Sequence, residues 1–311
     1  MKRILSAIAA AAIVFACAPK NGPVTDVQTM TSPDGNMEMT FQLTADGTPQ
    51  YALSYGDQKV ILPSDLGFEL RGVLKAQKLI YNADGTISKE DRQPSNSFYD
   101  GFSVESVETS SFDETWEPVW GEESQIRNNY NELLVNLVQK STDRMMAIRF
   151  RLFNDGLAFR YELDGLTDDI VTDEYTIYRI EEGRQRWIQK FDLGYEQFYH
   201  PHTTPDPHVK HWIYPALVEQ EEGVYTLITE ANILKGHSAS SLWNETAGTD
   251  YKVTLGRNDG ARHTGNWVSP WRVLIVGSLA DIVESTLVTD VSEESLIPDA
   301  SEWVKPGTAS W

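Results

Sequence analysis

Ile148-Arg149-Phe150-Arg151-Leu152-Phe153-Asn154-Asp155-Gly156-Leu157-Ala158-Phe159-Arg160-Tyr161-Glu162-Leu163 reads as two strands and the turn between them. Ile148, Phe150 and Leu152 alternate with Arg149 and Arg151, and Leu157, Phe159, Tyr161 and Leu163 do the same with Arg160 and Glu162. A period of two sends alternate side chains to opposite faces of a strand, so each run predicts one apolar face turned to a core. Asn154-Asp155-Gly156 is a tight-hairpin signal, because Gly and Asn tolerate positive φ.

The same grammar extends in both directions. Met37, Met39, Phe41 and Leu43 alternate with Glu38, Thr40 and Gln42. Further strands are predicted at 51–55, 66–71, 102–108, 133–138, 224–229, 251–255 and 271–276. Asp-Gly recurs at 34–35, 46–47, 84–85, 100–101, 155–156, 164–165 and 259–260, so turn chemistry is spread through the chain. That pattern predicts an all-β, antiparallel sandwich or barrel rather than a helix-alternating fold. One short helix is expected near the C-terminus, where Leu279, Ile282, Val283 and Leu287 keep helical spacing with Asp281 near the start. No repeat or Gly/Ser-rich hinge divides the chain.

Composition narrows the function. The 311 residues carry 26 basic and 46 acidic side chains, a net charge of −20, which leaves no electrostatic footprint for a nucleic-acid backbone. A hydrophobic share of 41% with 9 Trp, 13 Tyr and 11 Phe is too high for a disordered acidic tail. The single cysteine excludes an intramolecular disulfide and Cys-rich zinc modules. Glu pairs at 122–123, 181–182, 221–222 and 293–294 lack an acid/base context and read as solvated faces.

The N-terminus reads as an address. Met1-Lys2-Arg3 is a positive n-region and Ile4 to Ala16 an apolar run, shorter than the ~20 residues of a membrane span, so residues 1–16 are expected to be a signal peptide. Val14-Phe15-Ala16-Cys17 resembles the lipobox of bacterial lipoproteins, with Phe15 where a small residue is usual. Cys17 is the expected acylation site and residues 17–30 the tether, placing the protein at the outer membrane or in the periplasm through a lipid anchor. The alternative is an ordinary cut after Ala16.

Several motifs, in order, resemble the N-terminal domain of glycoside hydrolase family 97, the bacterial α-glucosidases and α-galactosidases. They are Ser32-Pro33-Asp34-Gly35-Asn36, Leu62-Pro63-Ser64-Asp65-Leu66-Gly67-Phe68, Trp116-Glu117-Pro118-Val119-Trp120-Gly121-Glu122 and Arg127-Asn128-Asn129-Tyr130-Asn131-Glu132. After the hairpin already quoted come Tyr195-Glu196-Gln197-Phe198-Tyr199, Thr229-Glu230-Ala231, Ser269-Pro270-Trp271-Arg272 and Trp303-Val304-Lys305-Pro306-Gly307. The resemblance implies a galactose-mutarotase-like β-supersandwich over residues 31–302, with residues 303–311 starting a linker to a catalytic (β/α)8 barrel. It also implies that acid, base and nucleophile belong to the barrel, so this chain is expected to be catalytically silent alone.

Family members hold a calcium ion near the scissile bond, and the resemblance implies one ligand from this domain. Glu196 is the residue carried over, with Glu230 the second choice; the alternatives are a surface glutamate between buried tyrosines and a buried structural carboxylate. His200, His202, His208 and His211 lie in one Pro-rich stretch; a solvated loop near the sugar pocket is the favoured reading over a transition-metal site. Trp116 and Trp120 suit sugar faces or the interface with the barrel, the latter preferred. Arg127, Asn129 and Glu132 are suited to bonding sugar hydroxyls, or equally to pairing with one another at a sheet end.

The expected function is therefore that of a carbohydrate-binding domain with an α-linked oligosaccharide and the barrel as partners, contributing a wall and one calcium ligand to the active site. The alternatives are a free-standing surface lipoprotein that binds α-linked glycans without cutting them and, on fold analogy alone, an aldose mutarotase, which needs a histidine and a carboxylate paired in the sandwich cleft.

Overall fold

In the computed structural model, the residues described are 27–71, 78–81, 87–90, 97–119, 121–221, 223–234, 236–245, 248–256, 262–294, 297, 300–305 and 307–308. Cys17 and the signal segment, Trp120, Asp84-Gly85 and Asp259-Gly260 lie outside them.

Among the described residues, twenty-one strands and three short helices follow in order. The first are β1 (Gln28–Thr31), β2 (Met37–Leu43), β3 (Pro49–Tyr55), β4 (Gln58–Asp65), β5 (Phe68–Arg71), β6 (Lys78–Tyr81), β7 (Ile87–Glu90) and β8 (Ser97–Phe98). Then come β9 (Phe102–Trp116), β10 (Ile126–Gln139), β11 (Arg144–Phe153), β12 (Gly156–Glu174), β13 (Ile177–Arg179), β14 (Arg186–Lys190) and β15 (His200–His202). The last are β16 (His211–Glu219), β17 (Tyr225–Ala231), β18 (Ser240–Trp243), β19 (Asp250–Leu255), β20 (Arg262–Val268), β21 (Trp271–Gly277), α1 (Leu279–Glu284), α2 (Leu287–Asp290) and α3 (Ala300–Trp303). β1 takes in residues 28–30, which the sequence reading assigns to the tether.

All ladders between described strands are antiparallel. β1 to β4 pair in sequence order as a meander. The other strands, apart from the β6–β7 ribbon, form the larger sheet, joined to the meander where Arg179 of β13 bridges Leu62 of β4. The meander's inward face supplies Phe41 and Tyr51, whose rings lie 6.0 Å from Phe150 and 4.9 Å from Phe159 of the facing sheet. This is a two-sheet antiparallel sandwich, one of the architectures that the alternation predicts.

β12 organises the larger sheet. Its first residues pair with β11 on one side and β21 on the other, its middle with β20, and its end with β5. Leu157, Phe159 and Tyr161 enter the main core, while Ala158 faces a second cluster with Trp271, Val273, Ile275 and Leu287. β21 is buried on both faces, which explains why Val273 to Val276 are a continuous apolar run rather than an alternation.

Two sequence expectations require correction. The Asn154-Asp155 hairpin forms, but none of Asn154, Asp155 and Gly156 takes a positive φ. Gly156 is required for close approach instead: a Cβ there would sit 2.2 Å from the Leu274 carbonyl oxygen and 2.6 Å from Leu287 Cδ1. The C-terminal helix is two helices, because Ser285 is extended and its hydroxyl donates to Asp155 Oδ2 at 2.5 Å. That break drops Leu287 onto Gly156 and leaves Leu279 and Val283 exposed.

The outward face of β10 to β12 carries a charge ladder. Arg149 donates to Glu132 at 2.5 Å and Glu162 at 2.7 Å, Arg151 to Glu132 at 2.9 Å, and Arg160 to Glu162 at 2.9 Å. Burial raises the Glu162 carboxyl, but the Arg149 and Arg160 guanidiniums outweigh it and hold the group below its usual range. Arg151 and Arg160 also lie over the Trp271 ring, at 4.9 and 4.6 Å.

Candidate functional site

β14 ends at Lys190 and the chain leaves the sheet before returning as β15. Asp192 closes the exit, its Oδ1 accepting from Gly194 N at 2.8 Å and its carbonyl from Tyr195 N at 3.2 Å, with Tyr195 at φ 55°. Glu196 follows this turn, exposed, its carboxylate bonded to no described residue. The flanking residues are exposed, Leu193 by 88%, Phe198 by 79%, Tyr195 by 56% and Tyr199 by 40%, so the alternative of a glutamate between buried tyrosines does not describe the loop. The loop projects beyond the β14–β16 ladder, so its apolar side chains cannot reach the core.

The histidines are dispersed over ordered elements rather than gathered in one solvated loop. His200 and His202 form β15 against β14, with His200 exposed and His202 half-buried beside Trp212. Burial lowers the His202 imidazole below its usual value. His208 is exposed, and its backbone N–H donates to Asp206 at 2.8 Å. His211 opens β16, stacked on Phe191 with centroids 3.9 Å apart, and its Nε2 lies 2.7 Å from Ser241 Oγ. Among the described residues no group of three or more His, Cys, Asp or Glu side chains is arranged to hold a metal.

Glu230 sits opposite Arg272 across the β17–β21 ladder. Its Oε1 accepts from Ser240 N at 2.9 Å, and its Oε2 from Ser240 Oγ at 2.7 Å and Arg272 Nη1 at 2.6 Å. Arg272 also grips Glu174 through Nε at 2.8 Å and Nη2 at 2.5 Å. Thr176 Oγ1 donates to Glu174 at 2.7 Å and meets the Tyr161 hydroxyl at 2.6 Å; that hydroxyl accepts from Gly67 N. Burial alone would lower the Arg272 guanidinium, but the two carboxylates, Glu174 foremost, push it well above its ordinary value. Glu230 is thus a structural carboxylate whose two oxygens are both engaged.

At the far end of β9, Trp116 is half-buried opposite Ile126. Arg127 makes a two-pronged pair with Asp113 of the neighbouring strand, both bonds 2.8 Å and both side chains exposed. Glu132 belongs to the charge ladder, and Asn129 is half-buried opposite Asp113. The three polar residues do not pair with one another.

The sequence reading misses one concave feature. A cavity of about 310 Å³ opens between the ends of β12 and β19, the segment after β17, and β20, lined by Val171, Glu174, His237, Leu255, His263 and Trp267 with Arg272 at its base. The His237 ring lies 5.5 Å from that of His263 and 5.9 Å from that of Trp267. Burial, then the neighbouring His263 and Arg272, lowers His237 to about 4, and burial also lowers His263. No local motif joins these residues; the only signal available was His263 and Trp267 four apart on one strand face.

Two solved structures that resemble this sandwich are a glycoside hydrolase family 97 enzyme and a β-arabinopyranosidase. A glycoside hydrolase family 97 enzyme from Pseudoalteromonas sp. strain K8, in complex with acarbose, superposes with a TM-score of 0.75 at 24% identity, over 90% of this chain and 40% of that one. A β-arabinopyranosidase superposes with a TM-score of 0.71 at 19% identity, over 85% and 42%. Identities this low establish the fold alone. A probable retaining alpha-galactosidase of Streptomyces bingchenggensis (strain BCW-1) is 30% identical over 165 residues, which are 52% of this chain and 25% of that protein. The chain therefore spans a quarter to about two fifths of these relatives. The family described as Glycosyl-hydrolase 97 N-terminal matches residues 30–293, and with that match over most of the sandwich the chain belongs to that family.

Proposed function

We propose that the chain is the non-catalytic N-terminal domain of a family 97 α-glycosidase, docking a catalytic barrel through the 191–199 loop and lending Glu196 to a calcium site. The observation that carries this reading is an unpaired, exposed carboxylate set among exposed apolar residues, Leu193, Tyr195 and Phe198. Apolar surface of this kind marks a contact face. A lone hard oxygen donor fits calcium, which takes six to eight such ligands, only if the docked partner supplies the rest. Glu196 would hold the ion, which would supply positive charge to the site when bound. Glu230 does not fit this role, because Arg272 and Ser240 already saturate it.

The test is an assay of α-linked nitrophenyl glycosides. The chain alone is expected to release nothing, and a complete enzyme carrying Glu196→Gln to turn over slowly and demand more calcium. Release by the chain alone, or unchanged turnover and calcium demand in the variant, overturns the assignment. Export and acylation at Cys17 belong to the same proposal and rest on the sequence. Mass spectrometry of the membrane fraction is expected to find a lipidated N-terminal Cys17; a free thiol there refutes it.

A further inference from the structure

We infer that Gln189 is a positioning residue: its buried side-chain amide clamps the Gln197 peptide and so holds the Glu196 loop in one conformation. The clamp is independent of the docking reading; what the held loop serves rests on that reading.

β14 departs from strand alternation at this residue. Ile188 and Gln189 are buried in succession, where a regular strand sends consecutive side chains to opposite faces. The β14–β16 register slips between Trp187 and Gln189, which frees Gln189 from the alternation. Gln189 is 1% exposed, and an amide so deeply buried is retained only where its donor and acceptor are both used. With the amide oriented by its bonds, Oε1 accepts from Gln197 N at 3.1 Å and Nε2 donates to Gln197 O at 3.3 Å. One side chain thus stands in for the strand neighbour that Gln197 lacks, since β15 starts only at His200. Among the described residues the Gln197 backbone has no other partner.

The rest of the loop is tied to the same frame. Phe191, at its start, donates from N to the His211 carbonyl at 2.9 Å, and its ring stacks on that of His211. At its end His200 pairs with Ile188. Glu196 lies between the Asp192 turn and the clamp. Its Cδ is 4.0 Å from the place a Cβ on Gly194 would take, and the residue after it is the one Gln189 grips. Anchors on both sides fix the Glu196 backbone while its side chain stays in solvent. A loop ordered before contact loses less conformational entropy on binding than a loose one, so the same contacts bind more tightly. Gln189 therefore acts on the contact site from the core, through Gln197.

The experiment is hydrogen exchange of the full chain, resolved at the Gln197 amide by ¹H–¹⁵N NMR, with cleavage after Glu196 by a glutamate-specific protease as a second readout. The parent is expected to protect that amide and to resist cleavage at Glu196 despite its exposure. Gln189→Met, of similar length but without donor or acceptor, should speed exchange at Gln197 at least about tenfold, in line with two lost hydrogen bonds, and open the Glu196 cut. Exchange in β17 should stay as in the parent, which separates a loosened loop from an unfolding chain. Glu196→Gln should leave exchange at Gln197 unchanged. In a complete enzyme, Gln189→Met is expected to raise the calcium needed for half-maximal turnover at least about threefold, with excess calcium restoring the rate, as for a misplaced ligand.

Equal exchange at Gln197 in the parent and Gln189→Met overturns the proposal. So does loosening that spreads to β17, a loss of turnover that excess calcium does not restore, or calcium demand that responds to Glu196→Gln but not to Gln189→Met. If exchange responds as expected while the complete enzyme is indifferent to both substitutions, the docking reading falls and the clamp stands.

Discussion

Arg272 and Glu174 form a two-pronged ion pair with both side chains almost completely withdrawn from water, 1% and 4% exposed. Glu230 shares the same guanidinium, so one cation neutralises two buried carboxylates. Removing that cation strands both. Arg272→Met is expected to cost about 3–5 kcal/mol, the usual penalty for breaking a buried pair from one side. Against a typical total of ~5–15 kcal/mol, urea unfolding should show a large fall in midpoint. Arg272→Lys should recover only part of it, because an ammonium cannot grip Glu174 with two prongs.

Acid is expected to weaken the fold through His237. Its folded value of about 4 lies below the ordinary histidine value, so between about 6.5 and 4 the unfolded chain binds more protons. The stabilisation is present above pH ~6.5 and is lost as pH falls towards 4; discounted for partial exposure, it amounts to ~1–2 kcal/mol. Asp290, raised by burial to about 6, acts in the opposite direction over the lower part of that window. The contribution is therefore isolated by difference: His237→Gln should lose less stability than the parent between pH 7 and pH 4.5 in urea titrations.

Two glycines of the same Asp-Gly type should respond differently to alanine. Gly35 has a φ of 78° with open space around its absent Cβ, so Gly35→Ala should cost only ~1–2 kcal/mol from the left-handed backbone. Gly156→Ala drives a methyl into the Leu274 carbonyl and Leu287, and is expected to cost more than ~3 kcal/mol. Thermal unfolding of the two variants checks the ranking; equal shifts would contradict the close-approach role.

The loop side chains should be dispensable for folding and needed for contact. Replacing Leu193 and Phe198 together by Ser is expected to leave stability within ~0.5 kcal/mol, since both are almost fully solvated. Self-association of the chain, read by sedimentation velocity, should fall in the same variant. Equal association in the parent and the variant would place the sticky surface elsewhere.

Legibility in the sequence follows burial geometry. β2, β11 and β12 alternate because each has one face in the main core, and most Asp-Gly steps that fall on described residues do turn the chain with positive φ at Gly35, Gly47, Gly101 and Gly165. Short strands such as β15, His200–His202, carry no periodic signal and exist only because β14 offers them an edge. The helical stripe from Leu279 to Leu287 is real in spacing but is cut by the Ser285–Asp155 hydrogen bond, a contact between residues 130 apart. Glu196 is legible through its motif, whereas His237 and His263 are 26 positions apart and meet only because β20 crosses behind the turn that follows β17. Long-range register creates the cavity, and local pattern cannot reveal it.

β12 draws its partners from residues as early as Phe68 and as late as Ile275. During synthesis β11 and β5 can fill one edge of β12, but the other stays unsatisfied until β20 and β21 have left the ribosome. So many distant pairings make for slow closure, and an open β12 is meanwhile a template for strands of other copies. A nascent chain of this architecture is therefore a natural client for holding chaperones, and its yield on overexpression should depend on them more than its final stability does.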